Sequence, residues 1–332
     1  MPTLLVDPRA PDAGAIARAA ALLRDGRLVA FPTETVYGIG AHALDARAVR
    51  RIYEAKGRPS SNPLIVHVAD EDGARSLAAE WPDLAARCAR AFWPGPLTIV
   101  VRKRDVVPDD VTAGLESVAL RVPAHPVALA ILRAAEIPIA APSANRSMEL
   151  SPTTARHVER ALGNVVDLII DAGPTTVGIE STVVDLRGSA PVILRPGILG
   201  PDELEPVVGP VSFVSAVPRD TEARPSPGML DRHYAPRARL LLIDASEARA
   251  IDARLAELRR RGEHPGALLL HNAARHELPI VAMPSEPAEY ARRLYDVLHT
   301  LDDAGCTVIL VERVPSGTAW AGIRDRLQRA AS

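Results

Sequence analysis

Lysine is nearly missing from this chain. Of its 39 Lys and Arg residues, only Lys56 and Lys103 are lysine, so each is an exception to a strong arginine habit. Cysteine is scarce too. Cys88 and Cys306 lie far apart and form no CxxC pair, which argues against a zinc knuckle or disulfide framework and leaves a reducing cytoplasm as the expected compartment. Charge excess is absent: the formal net charge is -2, so neither a strongly basic nucleic-acid coat nor stable DNA binding is expected. The start, MPTLLVDPRAPDAG, lacks the basic and apolar regions of a signal peptide. No apolar run reaches the ~20 residues of a membrane helix. G-x-x-x-x-G-K-[ST], HExxH, G-x-S-x-G and G-x-G-x-x-G are all missing, which removes P-loop, zincin, esterase-type and dinucleotide-binding readings. What remains is 332 residues, 47% hydrophobic and 24% charged. That is enough apolar surface to bury a real core, and length for two domains.

Helix and strand patterns alternate from the start, so the fold class is α/β. Ile16, Ala19, Ala20 and Leu23 make one helical stripe, and Asp45 to Ala55 reads as a second helix with Asp45 as N-cap. Apolar runs at 27–31, 64–68, 97–102, 118–122, 137–141, 165–170, 182–186 and 192–194 are strand candidates, with helices over 125–135 and 153–161. The Pro-rich stretch 201–238 shows no helical period and reads as a linker with at most one short strand. Alternation then resumes over 239–332, with strands at 240–243, 267–270 and 307–311 between helices. A small parallel, Rossmann-like α/β/α sheet is expected there.

Four segments concentrate polar groups at the ends of apolar runs. FPTETVYGIG (31–40) carries Thr33, Glu34 and Thr35 before Tyr37-Gly38; turn chemistry alone explains these residues as an ordinary strand-to-helix turn. KGRPSSNPLIVHV (56–68) offers Lys56, Arg58, Ser60, Ser61 and Asn62. They suit an anion with many oxygens, although a solvated loop at a helix C-terminus would look similar. His67 lies on an apolar strand, where a histidine is more often a satisfied core residue. Arg121 in VALRVP is buried by its pattern and needs an anionic partner, from a distant Asp or Glu or from a ligand. Arg195 in ILRPG repeats this. PSAN (142–145) provides Ser143 and Asn145, and Ser151 reads as the N-cap of the next helix, a natural phosphate site. Ser181 and Thr182 open another strand. Carboxylates are sparse among these segments, as expected of an anion-binding cleft.

The ordered set FPTETVYGIG, KGRPSSNPLIVHV, WPGPLTIVV, SVALRVP, PSAN, ESTVVDL and LRPG, followed by PSPGMLDRHYAP (225–236), resembles the threonylcarbamoyl-AMP synthase family, the YrdC-like proteins, in its long two-domain form. The match is dense over about 200 residues, the size of one domain, and thin beyond them. The resemblance implies a YrdC-like twisted mixed sheet with helices and a concave cleft over 1–200, a linker or lid over 201–238 and the Rossmann-like domain over 239–332. It implies that L-threonine, bicarbonate and ATP give threonylcarbamoyl-AMP and pyrophosphate. A transferase machinery then uses the product to form threonylcarbamoyladenosine at position 37 of certain tRNAs. Carried over residue by residue, it suggests Thr35, His67, Arg121, Ala141 and Ser181 around threonine. Around ATP it suggests Arg58, Asn62, Ser117, Ser143, Ser151, Arg195 and Tyr234. Lys56 and Arg58 face the phosphates or bicarbonate as catalytic groups.

No protein nucleophile is needed for such a reaction. Mg²⁺ is expected to ride on ATP rather than on protein ligands, with no organic cofactor. Tyr234 in the linker is expected to fold over the cleft and touch the nucleotide, shielding the adenylate from water. Two alternatives differ in kind. One is a double-stranded RNA-binding module without catalysis. The other is a carbamoyl-phosphate enzyme of hydrogenase maturation, whose zinc-finger modules the cysteine count excludes.

Overall fold

The computed structural model of the chain describes residues 2–214, 233–270 and 279–331. Among them, eleven strands form one mixed sheet in the order Thr3–Leu5, Leu168–Asp171, Val29–Pro32, Tyr37–His42, Ile139–Ala140, Ile65–His67, Ser117–Arg121, Leu97–Arg102, Thr182–Asp185, Val192–Arg195 and Ser212–Phe213. Strand register sorts the side chains. Ile65 pairs with Ala119 and His67 with Arg121, while Val100 faces Ala119 and Thr98 faces Val183. Because side chains alternate, His67, Arg121 and Thr98 fall on one face. Val66, Leu120, Ile99 and Val184 fall on the other, where they join a core with the helices Ala46–Lys56 and Asp83–Phe92. A second apolar cluster packs the helices Ala13–Arg24 and Pro126–Ala135 against the first strands of the sheet.

Two segments fold differently from the sequence reading. The expected strand-to-helix turn at 31–40 is a β-hairpin: Val29–Pro32 runs antiparallel to Tyr37–His42. The second strand, YGIGAH, hides from pattern reading because glycine has low strand propensity and both faces are buried. Gly40 is there for space, since a Cβ would lie 2.6 Å from a Phe31 ring carbon and 2.9 Å from Ile139. The stretch expected to begin a linker is instead a helix, Pro201–Val208. Leu204 and Val208 bury their side chains in the main core. Pro201 sits in the first turn, where its missing N–H costs nothing, and Glu203 accepts a hydrogen bond from the Gly200 N–H at 2.8 Å. With Pro206 also inside, eight residues are too few to show a period. Ser212–Phe213 is the short strand; the rest of the expected linker, 215–232, lies outside the described residues. Helices Glu71–Leu77 and Asp83–Phe92 and strands Thr3–Leu5 and Ile280–Ala282 were not anticipated.

The last third is a four-stranded, all-parallel sheet in the order Arg239–Ile243, Val308–Glu312, Pro265–Leu269, Ile280–Ala282. Helix Ile251–Arg260 covers one face. On the other, helices Pro287–Asp303 and Ala321–Ala330 share a single apolar cluster with Val36, Leu150 and Ile179 of the large sheet's domain. The two sheets are therefore joined by a common core. Backbones meet across it: a Cβ on Gly322 would lie 2.4 Å from the Gly197 carbonyl oxygen, and one on Gly178 would lie 2.5 Å from that of Ala291. Gly322→Ala must push helix Ala321–Ala330 outward. It is expected to cost about 1–3 kcal/mol, read as a lower denaturant midpoint, whereas an unchanged midpoint would mean the helix is not seated on this loop.

Candidate active site

The hairpin and the strand ends converge on one cavity. Strands Ile65–His67 and Ser117–Arg121 are parallel, so His67 and Arg121 both stand at C-terminal ends, where open α/β sheets place their ligands. Ser181 precedes strand Thr182–Asp185 and Arg195 ends Val192–Arg195, its antiparallel neighbour, so both reach the same edge. The cavity is lined by Thr33, Thr35, Arg58, His67, Arg121, Ala141, Ser143, Glu180, Ser181, Arg195, His233 and Tyr234, among others, and holds about 50 Å³ with His233 and Tyr234 seated on it, so a ligand larger than a few waters enters only when that segment gives way.

Its cations are buried and carefully held. The Arg121 Nε donates to the Gly95 carbonyl at 3.2 Å, Nη1 to Thr35 Oγ1 at 2.9 Å and Nη2 to Glu34 Oε1 at 2.7 Å. The anionic partner that the sequence demanded is thus a carboxylate 87 residues away. A guanidinium carries five donors, so Arg121 keeps two for something else. Arg195 donates from Nε and Nη2 to the Ser181 carbonyl and from Nη2 to its hydroxyl, at 3.0–3.1 Å. Arg58 follows Gly57, whose φ of 60° turns the chain inward after helix Ala46–Lys56. It donates to Asn62 Oδ1 at 2.6 Å and to the Asn62 and Pro63 carbonyls. Burial lowers the Arg58 pKa to about 10.

Lys56 lies behind this row and does not line the cavity. Its ammonium donates to the Ser143 carbonyl at 2.6 Å and to that of Asn145, pinning the PSAN loop against the helix end. Burial and neighbouring Arg58 push the Lys56 pKa well below its ordinary value. Asn62 is likewise a holder: its side-chain oxygen takes Arg58, and its Nδ2 is buried without a partner among the described residues. Ser117 shares the sheet face of Arg121 but lies four residues back along the strand, roughly 13 Å away by strand rise, and outside the cavity lining. Ser151 is not an N-cap. Thr154 caps helix Ala155–Leu162, accepting from the His157 N–H, while the Ser151 hydroxyl hydrogen-bonds Glu180.

Carboxylates are less sparse than the sequence suggested. Glu34 and Glu180 are both buried, 6% exposed. Burial disfavours the charged form of Glu180, but Arg326, Arg195 and the Ser151 hydrogen bond outweigh it and hold the pKa below the usual range. Glu34 and Glu180 stand in the segments FPTETVYGIG and ESTVVDL, yet nothing local distinguishes them from turn residues. His233 and Tyr234 close the cavity. Tyr234 adopts φ 59° and is 1% exposed; its hydroxyl, the Nδ1 of His233 and the Nδ1 of His67 are buried without hydrogen-bond partners among the described residues. Unpaired buried polar atoms around one hollow are what a polar ligand would satisfy.

Burial and the Arg121 charge lower the His67 pKa to about 3, so the imidazole is neutral and can accept or donate. The unfolded chain takes up that proton near pH 6.5 while the folded site refuses it. Stability from this group is therefore full above pH ~6.5 and falls by about 1.4 kcal/mol per pH unit on acidification toward 3. His67→Gln is expected to flatten the acid limb of denaturant stability by up to one proton; parallel curves for wild type and variant would contradict the burial assigned here.

Known proteins match the chain from end to end. The family model described as telomere recombination matches residues 21–197, and that described as threonylcarbamoyl-AMP synthase, C-terminal domain, matches 200–332. The chain is 43% identical over 316 residues to the threonylcarbamoyl-AMP synthase of Pyrococcus abyssi, covering 94% of this chain and 92% of that one. It is 43% identical over 321 residues to the enzyme of that name from Bacillus subtilis, covering 95% and 92%. The crystal structure of P. abyssi Sua5 complexed with L-threonine matches with a TM-score of 0.93 at 40% identity, over 100% of this chain and 98% of that one. Among the described residues no helix is long and apolar enough to cross a membrane. Two family models end to end, and relatives of nearly equal length, give one answer: the chain belongs to the threonylcarbamoyl-AMP synthase family.

Proposed function

We propose that this chain condenses L-threonine, bicarbonate and ATP into threonylcarbamoyl-AMP, releasing pyrophosphate. The observation that carries the reading is electrostatic. Arg58, Arg121 and Arg195 line one hollow at 8% exposure or less, with Lys56 and Arg326 buried behind them, and the carboxylates set against these five are Glu34, Glu180 and the part-buried Asp325. Such a site favours anions. Threonine's carboxylate takes the two remaining donors of Arg121, and Thr35, His67, Ala141 and Ser181 surround the rest of the amino acid. Arg58, Ser143, Arg195 and Tyr234 face the nucleotide, with Asn62 fixing Arg58 and Lys56 fixing the loop that carries Ser143. A nucleotide extended along the sheet face would bring its far end toward Ser117.

The threonine amine adds to the carbon of carbon dioxide with loss of a proton, or to that of bicarbonate with loss of water, and either route gives a carbamate. A carbamate oxygen then attacks the α-phosphorus, the bond to the β-phosphate bridging oxygen breaks, and pyrophosphate leaves with the electron pair. The protein aligns two anions that repel each other and stabilises charge on the leaving group. Mg²⁺ belongs on the phosphates in this scheme, because Glu34 and Glu180 are committed to Arg121 and Arg326. We assign the product to a transferase that modifies tRNA. The RNA-duplex alternative needs a surplus of exposed cations to meet a phosphate backbone; here the formal net charge is -2, and exposed arginines such as Arg47, Arg237 and Arg261 pair with carboxylates.

Pyrophosphate release should require threonine and bicarbonate together, and turnover indifferent to either would defeat the reading. Arg121→Ala, made with Glu34→Gln so that no carboxylate is stranded, is expected to raise the threonine KM by about tenfold or more. The ATP KM should move far less. Equal losses for both substrates would make Arg121 a structural residue.

A further inference from the structure

We propose that Arg326, on the last helix of the C-terminal domain, is the positioning residue that sets the nucleotide side of the pocket. The inference rests on the function proposed above, in which Ser181, Arg195 and Tyr234 contact substrate. Arg326 itself does not line the cavity. It is 1% exposed and touches three segments that do.

Its Nε donates to Glu180 Oε2 at 2.6 Å, just ahead of Ser181. Nη1 donates to the Pro196 carbonyl at 3.0 Å, just after Arg195. Ser181 and Arg195 are bonded to each other, so Arg326 braces both ends of that pair from behind. The flat of the guanidinium lies over the Tyr234 ring, 4.8 Å from its centroid, in cation–π geometry. The rigid, planar guanidinium makes all three contacts at once, in a geometry that a lysine's single point charge does not reproduce.

The same helix supplies more of the frame. Asp325 pairs with Nη1 of Arg326 at 2.7 Å, and the Arg329 carbonyl accepts from the His233 N–H at 3.2 Å. Tyr295, on helix Pro287–Asp303, donates to Glu180 Oε2 at 3.1 Å, and Ser151 donates to the other oxygen. The carboxylate is thereby fixed at both oxygens before Arg326 engages it. The C-terminal domain thus holds the His233–Tyr234 segment over the cavity and locks the two strand ends beneath it. Its place in the fold is that of a frame for the site.

A buried ion pair between domains would look alike if it served only folding, so the test separates the two. Arg326→Met with Glu180→Gln removes both charges; a Gln carbonyl oxygen in the place of Oε1 still accepts from Ser151, with the Tyr295 hydroxyl 3.4 Å from that position. Replacing a buried pair by uncharged groups of similar size is often neutral for stability. Glu180→Gln alone is the reference, and Arg326→Lys, which keeps the charge, is the second variant should the double variant melt early. ATP and threonine affinities are measured separately by calorimetry, with pyrophosphate release alongside. We expect the ATP Kd to rise about tenfold over the reference, with the threonine Kd within about twofold, and Arg326→Lys to shift ATP in the same direction. ATP affinity equal to the reference would overturn the proposal, as would equal loss for both ligands. Calorimetry needs no turnover: wild type that binds both ligands yet releases no pyrophosphate would sink the function and still decide the role of Arg326.

Discussion

Guanidinium groups buried beyond the reach of water govern this molecule. An unpaired charge in a protein interior costs several kcal/mol or more, roughly, and this chain gathers five buried cations in and behind one hollow, against the carboxylates of Glu34, Glu180 and the part-buried Asp325. Each is kept by a specific answer. Arg121 has Glu34, Arg326 has Glu180, Arg195 has the Ser181 carbonyl, and Arg58 and Lys56 have backbone carbonyls. Carbonyls are dipoles, not charges, so the site as a whole stays short of negative charge. That shortage is the physical basis for binding two anionic substrates side by side.

The fold exists to hold these groups at one edge. Register puts His67 and Arg121 together, the hairpin brings Thr35 and Glu34 over them, and the Arg195 strand returns beside Ser181. The second sheet is not a separate bead on a linker. Its helices share an apolar core with the large sheet's domain, and two glycines let backbones meet across that seam. Stacked His157 and His299, 3.9 Å between ring centroids, add a further contact between the two halves.

Much of this was legible in the chain. The α/β alternation, the parallel C-terminal sheet and the strand-end hydroxyls all follow from pattern, and an arginine inside VALRVP announces its own need for a partner. What pattern cannot supply is the identity of a distant partner. Glu34 and Glu180 look like turn residues because their meaning comes from side chains 87 and 146 positions away. Arg326 sits on an amphipathic helix rich in arginine, where nothing local separates it from its solvated neighbours. Prolines that look like linker chemistry mask the helix at Pro201–Val208, and Ser151, three residues ahead of the true cap Thr154, imitates an N-cap. In each case long-range geometry, not local propensity, made the decision.

The central claim is that positive charge in this hollow awaits two substrate anions. A crystal structure with L-threonine and a non-hydrolysable ATP analogue tests it most directly. The account predicts the amino-acid carboxylate on the free edge of Arg121 with Glu34 still paired, and phosphates against Arg58 and Arg195 beneath Tyr234. Phosphates bound elsewhere, with these arginines touching only protein, would contradict it.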